Sequence, residues 1–411
     1  MVKYRIVSYC PDTHIEYDGR TPYDVGVGGG ITARVRMAKA LRKLGHDVKM
    51  VVNCQRHEYV DGVEYIPLGQ FQKADADVLI MNTSGGELDL SPAQDLNVRA
   101  ALKIVWLHGT IEPRGLDGLQ YDYTYAVSNF VADAARQEWN AEPEQIFVTY
   151  NAFEEQLFAD AERSKPVRDP YGIIYFAHPS KGLDTAIEIV RLLRDNAPEF
   201  HLEVYGGNGL WGEKETTSVT GEGVIYRGLK GQRELTAALL KNSFSVQLQG
   251  VIESCPLSFF EASRAGCIVL ASNVGAYPEL INSGGTGFLI TEDHRSQEGR
   301  RKAADLILEL AENQDRNREL RRSSAAAALD THRSAQTWVV HWDAIFDQSM
   351  AKDQLHLASC IQCGGRKAVF PDGYHCMQCG HFSWADSSLP ITTPVPTPTE
   401  AYFPRAFESP R

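Results

Sequence analysis

GVIESCPLSFFEASRAGCIVLASNVGAYPELINSGGTGFLI, residues 250–290, is the stretch that decides the fold. Phe244, Val246 and Leu248 alternate into the turn at Gly250, so a strand leads into it. Pro256 stands where the first turn of a helix accepts it, because the N–H it lacks is not needed there. Leu257, Phe260, Glu261 and Arg264 continue one helical face, and Gly266 ends it. Cys267 to Ala271 is a short apolar run of the kind a buried parallel strand shows. A second helix is expected near Pro278, after which Gly284, Gly285 and Gly287 turn the chain back. Strand, turn, helix and strand in this order make up the repeating unit of a doubly wound α/β fold.

The same alternation extends outward in both directions. Upstream, strands are expected at Ile173 to Phe176, Leu202 to Tyr205 and Val224 to Tyr226, with helices at Leu183 to Arg194 and Glu234 to Lys241. Polar, Pro-containing sequence from Ala159 to Tyr171 reads as a boundary. Before it, apolar runs begin at Tyr4, Val48, Val78, Ile104, Tyr125 and Ile146, and ITARVRMAKALRKLG is an amphipathic helix ending at Gly45. Downstream, helices are expected at Gln297 to Asn313 and Asn317 to Leu329. In the helix after them, Trp338, Trp342 and Phe346 recur at i, i+4, i+8, which is a packing stripe.

A chain of 411 residues exceeds one ordinary core, so two domains and a smaller piece are expected. The content of 43% hydrophobic and 23% charged residues is that of a soluble globular protein, and the apolar runs are strand-length, too short to span a bilayer. MVKYRIVSYC reads as a strand and not as a signal peptide. A net charge of −12 argues against a large nucleic-acid surface. Cys10, Cys54, Cys255 and Cys267 are scattered through apolar or turn surroundings and read as buried thiols, which implies a reducing, cytoplasmic setting, peripheral at a membrane at most.

Two carboxylates frame the helix of the opening stretch, Glu253 before it and Glu261 within it. At ~1.5 Å per residue their spacing suits an extended polar ligand lying across a helix N-terminus. Free N–H groups around Cys255, Pro256 and Leu257 would favour an anion at the same place. A diphosphate flanked by two hydroxyl-rich rings satisfies both features. Three more places carry candidates. The loop VGVGGG delivers Gly28, Gly29 and Gly30 to a helix start, where glycine lets a phosphate approach the backbone. Lys181 stands in the strand-to-helix turn AHPSKGLD as a compact charge for a diphosphate. His108 follows the strand ending in VWL, at the carboxyl end where such sheets bind ligands.

The passage E-SCPLSFF-E, continued by EASRAGCIVLASNVGAYPELI and GGTGFL, resembles the donor-site signature of glycosyltransferase family 4. The resemblance covers residues 1 to 350, is strongest at 250 to 290 and is weakest between Gln55 and Lys103. It implies the GT-B arrangement, two Rossmann-like α/β domains facing a cleft, with the acceptor-side domain at 1–158 and the nucleotide-sugar domain at 159–350. It also implies retaining transfer of a sugar from a nucleotide diphosphate sugar to a saccharide or other hydroxyl acceptor, with no catalytic divalent metal. Under it, Glu253 contacts the transferred sugar, Glu261 the nucleotide ribose and His108 the donor sugar, while the glycine loop and Lys181 serve the phosphates. The sequence departs from the family in two places. Tyr175, Phe176 and Ala177 occupy positions where many members carry an Arg before the Lys, so Arg227 or backbone amides must replace it. In the linker TYNAFEEQLF, Ala152 and Glu154 stand where Gly and Asp are usual. A noncatalytic or nucleic-acid-directed protein of this fold and a sugar-nucleotide epimerase are the alternative readings.

Composition changes near Ser359. Cys360 and Cys363, then Cys376 and Cys379, form two Cys-x-x-Cys knuckles whose four thiolates would close a tetrahedral structural Zn2+ site. The intervening GGRKAVFPDGYH suits a short hairpin, so residues 351–386 resemble a zinc ribbon able to bind a protein or nucleic-acid partner. Residues 351–411 carry five basic and five acidic side chains, which gives no electrostatic footprint for nucleic acid. The Pro/Thr-rich tail at 387–411 is expected to be disordered.

Overall fold

The computed structural model describes residues 2–346 except 86, 140 and 218, and beyond them the backbone of three strands at 367–370, 373–376 and 382–384. The described residues form two units. The first contains the residues up to Arg20, Gly29–Asn151 and the chain from Asp330 onward. The second contains Thr21–Gly28 and Ala152–Leu329.

An eight-stranded sheet organises the first unit: β1 (Arg5–Tyr9), β2 (Asp47–Val52), β3 (Glu58–Val60), β4 (Val63–Pro67), β5 (Ala74–Thr83), β6 (Val98–Leu107), β7 (Tyr123–Ala126) and β8 (Ile146–Val148). Their order is β3-β4-β2-β1-β5-β6-β7-β8, parallel throughout except at the β3–β4 hairpin. Burial on both faces explains the unbroken apolar run at the end of β6, where Ile104, Val105, Trp106 and Leu107 are all buried. The helix Gly29–Lys43 turns Ile31, Val35, Ala38 and Leu41 inward. Ser128 caps the helix Asn129–Glu138, its Oγ accepting from the Val131 amide at 3.1 Å.

The second unit is built on β9 (Gly172–Phe176), β10 (His201–Tyr205), β11 (Val224–Gly228), β12 (Phe244–Gln247), β13 (Ile268–Ser272) and β14 (Phe288–Ile290). All six are parallel, in the order β11-β10-β9-β12-β13-β14. The helices Leu183–Arg194 and Gln297–Glu312 press Ile189, Leu193, Ile307 and Leu310 onto Phe244, Val246 and Leu270 of the sheet. Among the parallel strands of each sheet the order reverses once, between β1 and β5 and between β9 and β12. The carboxyl ends of those pairs are where open α/β sheets bind ligands.

Unit membership departs from the boundaries expected at 158 and 350, for side-chain reasons. The helix Thr331–Phe346 belongs to the first unit: fully buried Trp338 donates its indole N–H to Thr149 Oγ1 at 2.8 Å, and Trp342 donates to the Tyr125 hydroxyl at 3.1 Å. Phe346, at the end of the stripe, is 38% exposed. Residues 21–28 belong to the second unit, where the Tyr23 hydroxyl donates to Glu154 Oε2 at 2.6 Å and Asp24 pairs with Arg233. Residues 152–158 join it too, since the Phe153 amide donates to the Leu329 carbonyl at 2.9 Å.

The three remaining strands, β15 (Lys367–Phe370), β16 (Gly373–Cys376) and β17 (Phe382–Trp384), form an antiparallel sheet in sequence order, and β15–β16 is the hairpin expected between the knuckles. The zinc site lies outside the described residues: Cys360, Cys363 and Cys379 are not described, and Cys376 only as backbone. The tail at 387–411 is outside them as well. No helix among the described residues is long and apolar enough to cross a membrane.

Candidate functional site

The turn after β9 ends on Lys181 and Gly182. Gly182 has φ of +86°, and a Cβ there would meet the Leu248 carbonyl oxygen at 2.0 Å, so only glycine lets this turn lie against the end of β12. Glu253 approaches from the loop after β12. The Lys181 ammonium donates to Glu253 Oε1 at 2.7 Å, and Gln249 Nε2 donates to the same oxygen at 2.9 Å. The backbone behind the carboxylate is fixed as well. The Ala276 amide donates to the Glu253 carbonyl at 2.8 Å, and Gly275, at φ +57°, would carry a Cβ only 2.2 Å from that oxygen. Two residues that share no local sequence are thus joined at the β9/β12 reversal.

Cys255 and Pro256 lead into the helix Leu257–Arg264, and Pro256 is its N-cap, one residue before the first turn in which it was expected. The opening amides of a helix have no partner within it and favour an anion. Glu261 is 3% exposed inside this helix. At the start of the helix, Gln247 Oε1 accepts from the Ser258 hydroxyl at 3.2 Å and also from the Tyr277 hydroxyl at 2.8 Å. Arg227, a possible replacement for the missing family Arg, is bound to Glu203 at 2.7 Å. His178 stacks on the half-exposed Trp211 with ring centroids 3.7 Å apart, and Lys181 Nζ lies 5.8 Å from the Trp211 ring. Sequence reasoning missed His178, Trp211, Gln249 and Tyr277.

Of the glycine loop, Gly28 lies in the second unit, where a Cβ would come within 3.1 Å of the Leu210 carbonyl. Gly29 and Gly30 open a helix of the first unit, and a Cβ on Gly30 would stand 2.0 Å from Ser84 Oγ. The structure therefore brings Lys181, Glu253 and the start of the Leu257–Arg264 helix together in one unit. It places His108, Gly29 and Gly30 in the other.

His108 follows β6 with its ring 4.4 Å from that of Trp106. Burial, reinforced by the Arg34 charge, pushes its pKa down to about 3, so the imidazole is neutral at physiological pH. The sign of the linkage follows. An unfolded imidazole takes its proton near 6.5 and the folded one only near 3, so stability falls as pH drops through that window. His108→Gln is expected to make the acid decline of the urea midpoint shallower between pH 6.5 and 4. Some decline remains, because burial also lowers His46 and His178. An unchanged slope would show that His108 is not a protonation-resistant group.

Sequence reasoning also missed a polar cluster at the β1/β5 reversal, made of Asp12, Arg34, Asn82 and Ser84. One signal was available. Arg34 follows Ile31 by three residues, on the helix face that otherwise carries Val35, Ala38 and Leu41.

Residues 166–326 match the family model of glycosyl transferases group 1. No curated protein sequence matches the chain significantly. Among solved structures, sucrose-phosphate synthase from Thermosynechococcus elongatus is similar with a TM-score of 0.60 at 15% identity, over 83% of this chain and 99% of that one. A glycosyltransferase from Rickettsia africae aligns with a TM-score of 0.58 at 14% identity, over 84% of this chain and all of that one. HepE from Anabaena, in complex with UDP-glucose, aligns with a TM-score of 0.57 at 15% identity, over 82% and 99%. The two parallel sheets thus match GT-B glycosyltransferase structures in fold. The second unit, with Lys181 and Glu253 at its strand reversal, carries a glycosyl transferases group 1 domain, the enzyme domain of a glycosyltransferase.

Proposed function

We propose that the protein transfers a sugar from a nucleoside diphosphate sugar to the hydroxyl of a saccharide or other acceptor, with retention at the anomeric carbon and no catalytic divalent metal. The observation that carries this reading is the Lys181–Glu253 pair at the β9/β12 reversal, followed in sequence by the start of the Leu257–Arg264 helix. In the transfer, the bond from the anomeric carbon to the diphosphate oxygen breaks, and its electron pair leaves with the diphosphate. The acceptor oxygen bonds on the same face, and its proton passes to the departing phosphate oxygen. Lys181 and the helix amides meet the charge that builds on the diphosphate, a preorganised electrostatic contribution. Glu253 holds a hydroxyl of the transferred sugar, and His108, neutral, lies against that sugar. Glu261 holds the ribose.

HepE is described with UDP-glucose, which makes UDP-glucose the first donor to try. The test is transfer by the full chain from a panel of nucleotide sugars in EDTA, with the anomeric configuration of the product read by NMR. An inverted product, or activity that returns only with added divalent metal, would overturn the corresponding part of the reading. Glu261→Ala is expected to weaken UDP binding by ~1–3 kcal/mol, the scale of a lost charged hydrogen bond. Calorimetry with UDP checks it, and an unchanged affinity removes Glu261 from the ribose site.

A further inference from the structure

At the β1/β5 reversal the first unit holds a buried cation with one edge unused. The Arg34 side chain has no exposed surface. Its Nη1 donates to Asn82 Oδ1 at 3.1 Å and to Ser84 Oγ at 2.8 Å, and lies 3.6 Å from Asp12 Oδ2. Asp12 is in turn held by the Thr83 hydroxyl and by the Ser84 amide at 3.0 Å. Nε and Nη2, the opposite edge of the guanidinium, are buried without a hydrogen-bond partner. Elsewhere in the chain that edge grips carboxylates with two parallel bonds. Arg5 uses Nε and Nη2 on Asp77, and Arg264 uses the same two nitrogens on Glu155. Asn82 Nδ2 and Trp106 Nε1 are further buried donors without partners.

Such a fork matches two oxygens of a carboxylate or a phosphate, and it lies where a sheet of this topology binds ligands. We propose that Arg34 binds an anionic group, carboxylate or phosphate, carried by the acceptor, so that the acceptor is a charged sugar or similar hydroxyl compound. The proposal rests on the transferase reading for the word acceptor, and on the open Arg34 edge for the charge. The Tyr17 ring covers the guanidinium, 5.4 Å from Cζ, and its buried hydroxyl interacts electrostatically with the Arg34 charge. Entry of the anion displaces this side chain, which lies beyond the exposed Thr13, His14 and Glu16.

The test is calorimetry on the full chain saturated with UDP, so that the diphosphate contacts are already filled. Glucose, glucose 6-phosphate and glucuronate are the probes. At least one charged sugar should bind tenfold or more tighter than glucose, and which one does so separates phosphate from carboxylate. Asn82→Asp is isosteric and sets a competing carboxylate beside the guanidinium, so it should reduce that advantage below threefold. Arg34→Gln should do the same, and if this variant fails to fold, Asn82→Asp decides alone. Equal affinity for the three sugars, or an advantage that survives in Asn82→Asp, overturns the proposal. A chain that binds none of UDP, GDP and ADP refutes the transferase reading instead, and the three-sugar comparison without nucleotide still decides the role of Arg34.

Discussion

Glu253→Gln is expected to lower kcat by about 10–10²-fold, the 1.5–3 kcal/mol of a charged hydrogen bond expressed as a rate, while UDP binds as tightly as before or tighter. Gln has the shape of Glu, so the loop held by Gly275 and the Ala276 amide keeps its course. What is lost is the negative charge that holds a sugar hydroxyl as the anomeric centre becomes positive. Nucleotide binding draws on Lys181 and the helix start, which the substitution leaves in place. Lys181 is also released from a charged partner 2.7 Å away, which favours its turn toward a diphosphate. Steady-state kinetics and UDP calorimetry on the same preparation decide the matter. Wild-type turnover, or a tenfold loss of UDP affinity, would remove Glu253 from the sugar contact.

Local signals made much of this fold legible. The helix Leu183–Arg194 matches its expected span to the residue, because its apolar period is regular and Gly182 marks its start. Ser128 before NFVADAARQEW marks a capped helix start equally well. The hairpin of β3 and β4 went unread although its signal was present. Asp61 and Gly62 both adopt positive φ, 51° and 79°, in the Asp-Gly turn that such hairpins favour. Their strands are short and lie where the family resemblance is weakest.

Candidate residues were legible where turn chemistry sets them at strand ends, as for Lys181 and Glu253. Their bond to each other was not, since 72 residues separate them and only the pairing of β9 with β12 brings them together. Arg34 went unread although it falls on the apolar face of its helix. A charge within an amphipathic helix reads as solvated surface, and its partners Asn82 and Ser84 lie about fifty residues away. The unit that holds residues 21–28 or 331–346 depends on single side chains such as Tyr23 and Trp338, which no local pattern announces.

Lys181→Ala is expected to weaken UDP binding by about 10²-fold, and it tests two consequences of one geometry. The first is the loss of the cation at the β9/β12 reversal, with Arg227 already engaged by Glu203 and no Arg at 175–177 to compensate. The second is structural. Glu253, whose side chain is 11% exposed, would keep the Gln249 amide as a donor but lose its counter-charge. Removing one member of a buried pair strands the other, and with the Lys181 side chain 21% exposed the expected cost is about 1–3 kcal/mol. The double variant Lys181→Met with Glu253→Gln separates the two effects. Replacing both charges by neutral groups of similar size should recover most of the lost stability, because no charge is left unpaired. UDP affinity should stay low in that variant, because the diphosphate still has no cation. Urea unfolding and UDP calorimetry on the wild type, Lys181→Ala and the double variant give the comparison. If affinity returned together with stability, Lys181 would be a structural partner of Glu253 and the diphosphate would have to be held elsewhere.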